Sequence, residues 1–150
     1  MKYTYIGVVL VRNDGAVLVQ HRDDKPMIPE PNKWGICGGK KEIDDRTDKD
    51  AAVRELFEET GYRVKTSELR CFASDEFDVD TIHIMRKFFL APYDGKQKIE
   101  CFEGREIRFM APSELFRLNF CDTYHLDYLR QASELVCGVR LREGNRHAIK

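Results

Sequence analysis

The 150-residue chain is long enough for one domain with a hydrophobic core and short for two, so we expect a single domain over residues 1–150. Charged residues make up 34% of the chain and its net charge is -1, which excludes a general electrostatic attraction to nucleic acid or to an anionic membrane. No apolar run approaches the roughly 18 residues of a membrane span, and the five cysteines show neither a CxxC pair nor metal-ligand spacing with the four histidines. We therefore expect a cytoplasmic protein with no membrane or nucleic-acid partner.

The first 33 residues predict two strands and an irregular loop. Residues 3–11 are rich in β-branched and aromatic side chains, residues 13–15 (Asn-Asp-Gly) are a hairpin signal, and residues 17–21 continue as the partner strand. Residues 22–33 contain three prolines among charges, which favours a stiff loop that frames a cleft.

The central segment predicts a strand, a loop and a helix. Residues 34–42 contain adjacent glycines, which let the backbone approach a ligand closely. Thr47 and Asp50 have the spacing of a capping box, so we expect the helix to begin near Asp48. Gly61 is the residue type that commonly ends a helix.

The predicted helix carries an acidic face. At about 100° per residue, Glu55, Glu58 and Glu59 fall within one arc of roughly 100°. The opposite face carries three apolar residues that we expect to pack: Val53, Leu56 and Phe57. Crowded carboxylates repel one another, and a divalent cation such as Mg²⁺ or Mn²⁺, which commonly completes its shell with phosphate, would neutralise them. The alternative is an ordinary solvated acidic helix face.

The rest of the chain predicts a β-rich half followed by a helix. The predicted extended segments are residues 62–64, 68–77, 81–90, 99–102 and 107–110. An acidic turn at residues 78–80 separates the two longest of them, a short helix starts at Pro112, and an amphipathic helix runs from Asp122 or Thr123 to Gly138. Strands on both sides of a glutamate-bearing helix fit an α/β protein with a mixed sheet flanked by helices.

Residues 39–62 resemble the signature box of the Nudix hydrolase family, whose MutT-like members are nucleotide pyrophosphohydrolases. The box reads Gly, five residues, Glu, seven residues, then Arg-Glu-aliphatic-x-Glu-Glu-x-Gly-aliphatic. The matching residues here are Gly39, Arg54, Glu55, Leu56, Glu58, Glu59 and Gly61. Asp45 stands in place of the first glutamate, in a loop one residue longer than the pattern, and Tyr62 replaces the last aliphatic residue. Glu42 is an alternative for the role of Asp45.

The resemblance implies a Nudix-type α/β/α sandwich and a set of site residues. It implies metal ligands at Glu55, Glu58, Glu59 and the backbone carbonyl of Gly38. It implies that Arg54 orients a neighbouring glutamate, a task that suits its bidentate guanidinium. The general base is either a box glutamate or a later loop acid, for which Glu103 is the candidate and Glu106 its rival.

The resemblance also implies hydrolysis of a pyrophosphate linkage by metal-activated water, with a nucleoside triphosphate as the leading substrate and Mg²⁺ or Mn²⁺ as cofactor. ADP-ribose, nucleotide sugars and dinucleoside polyphosphates are alternatives. ADP-ribose-preferring members often carry a proline about sixteen residues beyond the box, where this chain has Asp78 and no proline before Pro92. A non-catalytic nucleotide sensor and a diphosphate isomerase using Cys37 are alternatives of other classes.

Substrate contacts are predicted more weakly than metal ligands. Two interpretations of Trp34 stay open: it stacks on a nucleobase, or it anchors a strand. The chain has 25 lysines and arginines, and each candidate among them either contacts a phosphate or only faces solvent. The substrate-binding candidates are Arg22, Trp34, Gly39 and Lys40. The assembly is left open between a monomer and a homodimer.

Overall fold

The computed structural model describes residues 1–148, which form seven strands and two α-helices. The strands are β1 (Lys2–Val11), β2 (Val17–His21), β3 (Trp34–Gly35), β4 (Cys37–Lys40), β5 (Arg70–Val79), β6 (Ile82–Pro92) and β7 (Glu106–Met110). The helices are α1 (Asp48–Thr60) and α2 (Thr123–Ala148). Two 3₁₀ helices, Thr66–Glu68 and Pro112–Arg117, complete the described elements.

The seven strands form one mixed sheet with β1 at its centre. β1 pairs with β6 in parallel along its whole length and with β4 in antiparallel fashion. It meets β2 only at the pair Val11 and Val17, because β4 occupies the same edge of β1 from Tyr5 to Val8. The predicted hairpin is therefore present only at its closed end, and β2 continues instead as the partner of β7 and β3.

Each face of the sheet packs on one helix, which confirms the predicted α/β/α sandwich. Alternate residues of β1 divide between the two cores, as a strand buried on both faces requires. The α1 side holds Ile6, Val8, Leu10, Leu56 and Phe89. The α2 side holds Val9, Val11, Phe88, Leu129 and Ala132.

Helix α1 begins and ends where the sequence predicts. Thr47 accepts a hydrogen bond from the Asp50 backbone N–H at 3.0 Å, and the Asp50 carboxylate accepts from the Thr47 N–H at 3.2 Å, forming the capping box. Gly61 has φ 76° and donates its N–H to the Phe57 carbonyl. Phe57 itself is a correction, because its side chain does not join the core: it is 40% exposed and lies under the Arg63 guanidinium.

Several predicted boundaries shift in the second half. Residues 62–64 and 99–102 are not strands, although the Phe102 N–H donates to the Glu59 carbonyl. The 3₁₀ helix Thr66–Glu68 delays the start of β5, and the turn into β6 is tighter than predicted, with Asp80 at φ 53°. The Pro112 segment is a 3₁₀ helix, as its proline at the first position favours.

Helix α2 begins at Thr123 but continues past the predicted end at Gly138 to Ala148. A glycine in a helix interior costs only about 1 kcal/mol, so packing of the preceding turns through Leu129 and Ala132 is enough to carry the helix through it. Among the described residues, neither helix has the length and apolar composition needed to span a membrane.

Candidate active site

Strand β4 brings the glycine pair against both β1 and α1. A Cβ at Gly38 would overlap the Ile6 backbone carbonyl, and a Cβ at Gly39 would overlap the Glu55 carboxylate. The pair is therefore needed for close approach, first of strand to strand and then of strand to helix. Gly39, predicted to contact substrate, lies against an acidic side chain of the site itself.

Arg54 is the centre of a group of carboxylates. Its Nε and Nη2 atoms bind the two oxygens of Asp45 at 3.0 and 2.8 Å, in a bidentate pair. Its Nη1 atom contacts Glu55 at 3.1 Å and Glu58 at 3.2 Å. Glu42 lies farther away, with 3.6 Å between its Oε1 and Nη1. One guanidinium thus orients two glutamates of the acidic face, and a hydrogen bond to it lowers the pKa of Asp45.

The longer loop still delivers Asp45 to Arg54. The Glu42 N–H donates to Asp45 Oδ2 at 2.8 Å, and the Asp45 N–H donates to the Glu42 carbonyl at 3.1 Å. These bonds fold the extra residue back on the loop, and the Asp45 side chain is 7% exposed. Asp45 therefore forms the close pair with the arginine, at 2.8 Å, and Glu42 only a longer contact of 3.6 Å.

Glu59 is a buried acid with an unpaired oxygen. Its residue is 2% exposed, and among the described residues its Oε2 atom has no hydrogen-bond partner. Burial raises the pKa of Glu59 to about 9, the charges of Glu103 and Glu55 add to the effect, and a hydrogen bond from the Gly38 backbone opposes it. Burial likewise raises the pKa of Glu55. Glu55 has Arg54 as its positive partner, whereas within residues 1–148 no ion pair involves Glu59.

The loop before β7 places Glu103, but not Glu106, at this acid. Glu103 shares a hydrogen bond with Glu59, and its backbone carbonyl accepts from Gln20 Nε2 at 3.1 Å. Glu106 lies on β7, with its carboxylate 3.3 Å from the Arg108 guanidinium. Of the two candidate loop acids, Glu103 is the one beside the carboxylate cluster.

The donors suit a divalent cation, although they do not form a closed ligand set. Within residues 1–148, no three acidic, histidine or cysteine side chains converge closely enough to hold a metal ion. Arg54 lies among the carboxylates instead. Hard oxygen donors around the unpaired Glu59 oxygen are the chemistry that Mg²⁺ or Mn²⁺ prefers, so the residues fit such an ion.

A cleft of about 270 Å³ opens on the α2 side of the sheet. Its walls include Tyr5, Gln20, Arg22, Ile36, Tyr124 and His125. A smaller hollow of about 60 Å³ includes Glu103 and shares Gln20 and Arg22 with the cleft. The loop at residues 22–33 contributes Pro29 and Glu30 to the wall. The sequence predicted that this loop frames a cleft.

Sequence reasoning missed most of this cleft. Gln20, Ile36 and His125 belong to three distant segments and form no motif, and only the cleft-framing loop and Arg22 were predicted. The closest signal was the helical spacing of α2, which indicates a packed face but does not say that His125 lies beside a cavity.

The remaining predicted substrate contacts lie elsewhere. Trp34 is 8% exposed, stacks on His21 with 4.5 Å between ring centroids and has the Arg108 guanidinium 5.1 Å from its own centroid. This is the strand-anchor alternative rather than an open stacking platform. The Lys40 ammonium lies over the Tyr3 ring, and the Lys40 carbonyl accepts from Arg54 at 3.2 Å.

Comparison with known proteins identifies the class. The NUDIX domain family model matches residues 1–129, so the chain belongs to the Nudix family. It is a Nudix pyrophosphohydrolase, a class whose general activity is hydrolysis of pyrophosphate linkages, generally with a divalent metal.

Solved structures agree with the fold. The MutT protein of Methanosarcina mazei Go1 matches with a TM-score of 0.68 at 16% identity, over 89% of this chain and 94% of that one. The dihydroneopterin triphosphate pyrophosphohydrolase of E. coli matches at 0.64 and 21%, over 88% and 92%. The NUDIX domain of Shewanella oneidensis NrtR, solved with ADP ribose, matches at 0.72 and 16%, over 91% and 89%. At these identities the likeness shows the fold alone.

Proposed function

We propose that this protein hydrolyses a pyrophosphate linkage in a nucleoside diphosphate derivative, with a nucleoside triphosphate as the leading substrate and Mg²⁺ or Mn²⁺ as cofactor. The single observation that carries the proposal is Glu59: a buried carboxyl with an unpaired oxygen, flanked by Glu55 and Glu103. A buried acid of this kind is costly unless a cation occupies its site in the working protein.

Glu55, Glu58, Glu59 and the carbonyl of Gly38 are the proposed metal ligands. When bound, a divalent ion would lower the pKa of the attacking water and neutralise charge on the leaving phosphate. Arg54 holds Glu55 and Glu58 in place through its Nη1 atom while Asp45 fixes the other edge of the guanidinium. Its role is positioning, which suits its fork of donors.

Glu103 is the proposed general base. It is exposed to solvent, yet its carboxylate reaches the buried Glu59. A base in this position has access both to water and to the acids that would hold the metal, which is the geometry that proton abstraction from a bound water requires. Gln20 supports the backbone of this loop from β2.

Arg22 is the proposed phosphate contact. Its side chain lines both the hollow that contains Glu103 and the larger cleft. Its Nε atom is held by the Pro29 carbonyl at 3.0 Å, which leaves the terminal nitrogens of the guanidinium for a phosphate between the two cavities. Lys40 is a weaker candidate because its ammonium lies over Tyr3.

A substrate panel tests the proposal. Purified protein is incubated with dNTPs, 8-oxo-dGTP, ADP-ribose, nucleotide sugars and dinucleoside polyphosphates, each with Mg²⁺ and with Mn²⁺, and the phosphate-containing products are quantified. We expect metal-dependent cleavage of at least one nucleoside triphosphate above ADP-ribose. Binding without turnover of any compound would favour the nucleotide-sensor alternative.

The isomerase alternative is disfavoured by the position of Cys37. This residue is fully buried, and burial together with Glu59 raises its thiol pKa well above the ordinary value. A catalytic thiol needs the opposite environment. We expect Cys37→Ala to keep pyrophosphatase turnover.

A further inference from the structure

Residues 100–105 form the loop that carries the proposed general base, here called the base loop. Backbone hydrogen bonds hold it at both ends. Near the end of α1, the Phe102 N–H donates to the Glu59 carbonyl at 2.9 Å. At the end of β2, the Arg105 N–H donates to the His21 carbonyl at 2.8 Å. The base loop therefore bridges the helix that carries the acidic face and a strand of the sheet.

Gln20 reaches the middle of the base loop from β2. Its Nε2 atom donates to the backbone carbonyl of Glu103 at 3.1 Å, and the residue is 4% exposed. The Cys101 thiol lies 3.4 Å from the same carbonyl, but a thiol is a weak donor. Gln20 thus supplies the strong side-chain donor at the residue that carries the base.

A glutamine is unexpected at this position of the strand. Alternation places Leu18 and Gln20 on the α1 face of the sheet, and Val17 and Val19 on the α2 face. Leu18 is fully buried in the α1 core, and Ile107, the cross-strand partner of Gln20 on β7, packs against the same core. An apolar side chain would fit here, whereas a buried amide is costly unless it is bonded. Departures of this kind from the local pattern are expected at functional positions.

Gly104 lets the base loop approach β2 closely enough for this bond. Its φ is 90°, in the left-handed region, and a Cβ would lie 2.6 Å from the His21 carbonyl oxygen. The N–H of the next residue, Arg105, donates to that same carbonyl. The turn after Glu103 is therefore packed directly on the end of β2.

The position of the backbone matters because the base itself is exposed. Glu103 lies at the surface, and its carboxylate shares a hydrogen bond with Glu59. Holding an exposed glutamate in one place costs conformational entropy, which fixed neighbouring groups must offset. A general base has to stand within hydrogen-bond reach of the proton that it takes, and a misplacement of about 1 Å can cost about 100-fold in rate.

We propose that Gln20 is a positioning residue for Glu103: its buried amide holds the base loop so that the Glu103 carboxylate stays beside Glu59 and takes a proton from the attacking water. The water oxygen forms a bond to phosphorus, and the phosphorus–oxygen bond to the leaving phosphate breaks with its electron pair on the leaving oxygen. Gln20 acts through the loop backbone, so its loss should lower kcat and leave KM. This inference rests on the proposed function for the role of Glu103, but the placement of the loop is measurable without turnover.

A double-mutant cycle tests whether Gln20 acts through Glu103. Gln20→Met keeps the length of the side chain and removes the donor. With the triphosphate that the wild type cleaves fastest, we expect kcat to fall about tenfold and KM to change less than about twofold. Glu103→Gln should lower kcat about 100-fold. In that background Gln20→Met should cause almost no further loss, because the side chain that it positions no longer acts as a base.

Two further variants frame the cycle. Gly104→Ala displaces the base loop from its backbone side, so we expect a loss of kcat that again disappears in the Glu103→Gln background. Gln97→Met is the matched control, because Gln97 Nε2 donates to the Arg63 carbonyl at 2.9 Å, a bond of the same kind outside the base loop. This control should keep the wild-type kcat.

Hydrogen exchange measures the placement of the loop without turnover. The amides of Phe102 and Arg105 are protected by their bonds to the Glu59 and His21 carbonyls. Gln20→Met should speed the exchange of both amides about tenfold if the lost bond helps to hold the loop closed. Gln97→Met should leave both rates at their wild-type values.

The outcomes separate the two proposals. An unchanged kcat in Gln20→Met, or the same loss from Gln20→Met with and without Glu103→Gln, would overturn the positioning role and leave the proposed function standing. No turnover of any nucleotide would refute the proposed function. In that case faster exchange of the two amides would still support the placement of the loop by Gln20, and unchanged exchange would overturn it. Thermal unfolding shows that each variant compared is folded at the assay temperature.

Discussion

The acidic site and the cleft meet at Gln20 and Arg22 but are built in different ways. Apart from Glu103, the carboxylates of the acidic site and the arginine that orients them come from one continuous stretch, residues 42–59. The walls of the cleft come from β1, β2, the loop between β2 and β3, β3 itself and the start of α2. One site is local in sequence, and the other exists only after the sheet and α2 have packed.

We expect this difference to separate chemistry from substrate selection. The local site is determined by the cap of one helix, the glycines that face it and the arginine between its acids. The cleft depends on which side chain each distant segment places on its wall. Substitutions in the acidic site should therefore change turnover of every substrate, whereas substitutions in the cleft should change the choice among substrates.

The largest effect is expected from Glu58→Gln. Glu58 is a proposed metal ligand whose side chain is 54% exposed and whose bonded partner is Arg54. We expect turnover to fall by orders of magnitude for all nucleotides, with an unchanged melting temperature, because a ligand is lost from an exposed face. Steady-state kinetics and thermal unfolding measure the two quantities.

Glu114→Gln serves as the control, because Glu114 is an exposed acid on the 3₁₀ helix Pro112–Arg117. A Glu58→Gln variant with near-normal rates would mean that the acidic site has been assigned wrongly. A selective loss for one base only would contradict the division between chemistry and selection.

The next effect contrasts the core and solvent faces of α1. Leu56 is fully buried, so Leu56→Ala should lower the free energy of unfolding by about 2 to 5 kcal/mol. Phe57→Ala, one position later, should lower the free energy of unfolding much less, because Phe57 is 40% exposed and its ring lies under the Arg63 guanidinium. Urea denaturation of both variants tests the contrast, and similar costs would show that Phe57 contributes to the core after all.

The ends of helix α1 are predicted well by the sequence because their determinants are local. The capping box of Thr47 and Asp50 and the left-handed Gly61 act within one turn of the helix ends, so residue type and spacing are sufficient to find them. The side of Phe57 was mispredicted because the helical arc places it near the boundary between faces, and only packing decides which way such a residue turns.

The remainder depended on contacts between distant segments. The pairing of β1 with β4 rather than with most of β2 follows from the return of the chain at Cys37–Lys40, which no local pattern reveals. The continuation of α2 through Gly138 depends on packing of its earlier turns, and the place of His125 beside Ile36 depends on where that helix docks. These are tertiary effects that override local preference.

A smaller effect is expected from Asp45→Asn. The substitution removes the charge that binds the Nε and Nη2 edge of the Arg54 guanidinium, and groups that orient metal ligands typically contribute 10- to 100-fold in affinity or activity. We expect kcat/KM to fall within about that range and the metal concentration for half-maximal activity to rise. Asp44→Asn, an exposed neighbour in the same loop, is the control, and equal behaviour of the two variants would remove Asp45 from the site.

The last prediction is a pH dependence of stability that originates at Glu59, spread over several pH units. Its pKa is about 9 in the folded, metal-free protein and near its ordinary value of 4.5 when unfolded, so the folded state holds the extra proton between these limits. Stability is then fullest below about pH 4.5 and declines as the pH rises toward 9, by at most about 1.4 kcal/mol per pH unit from this one group.

Glu59→Gln should flatten that decline in metal-free protein, as measured by urea denaturation across the interval. Mg²⁺ or Mn²⁺ competes with the proton for the wild-type carboxylate, so the gain in melting temperature on adding the ion should be larger at about pH 8 than at about pH 6. Identical pH slopes for the wild type and the variant would show that the buried carboxyl is already ionised without a metal. The unpaired oxygen would then need another partner, and the argument for a cation at the acidic site would lose its main support.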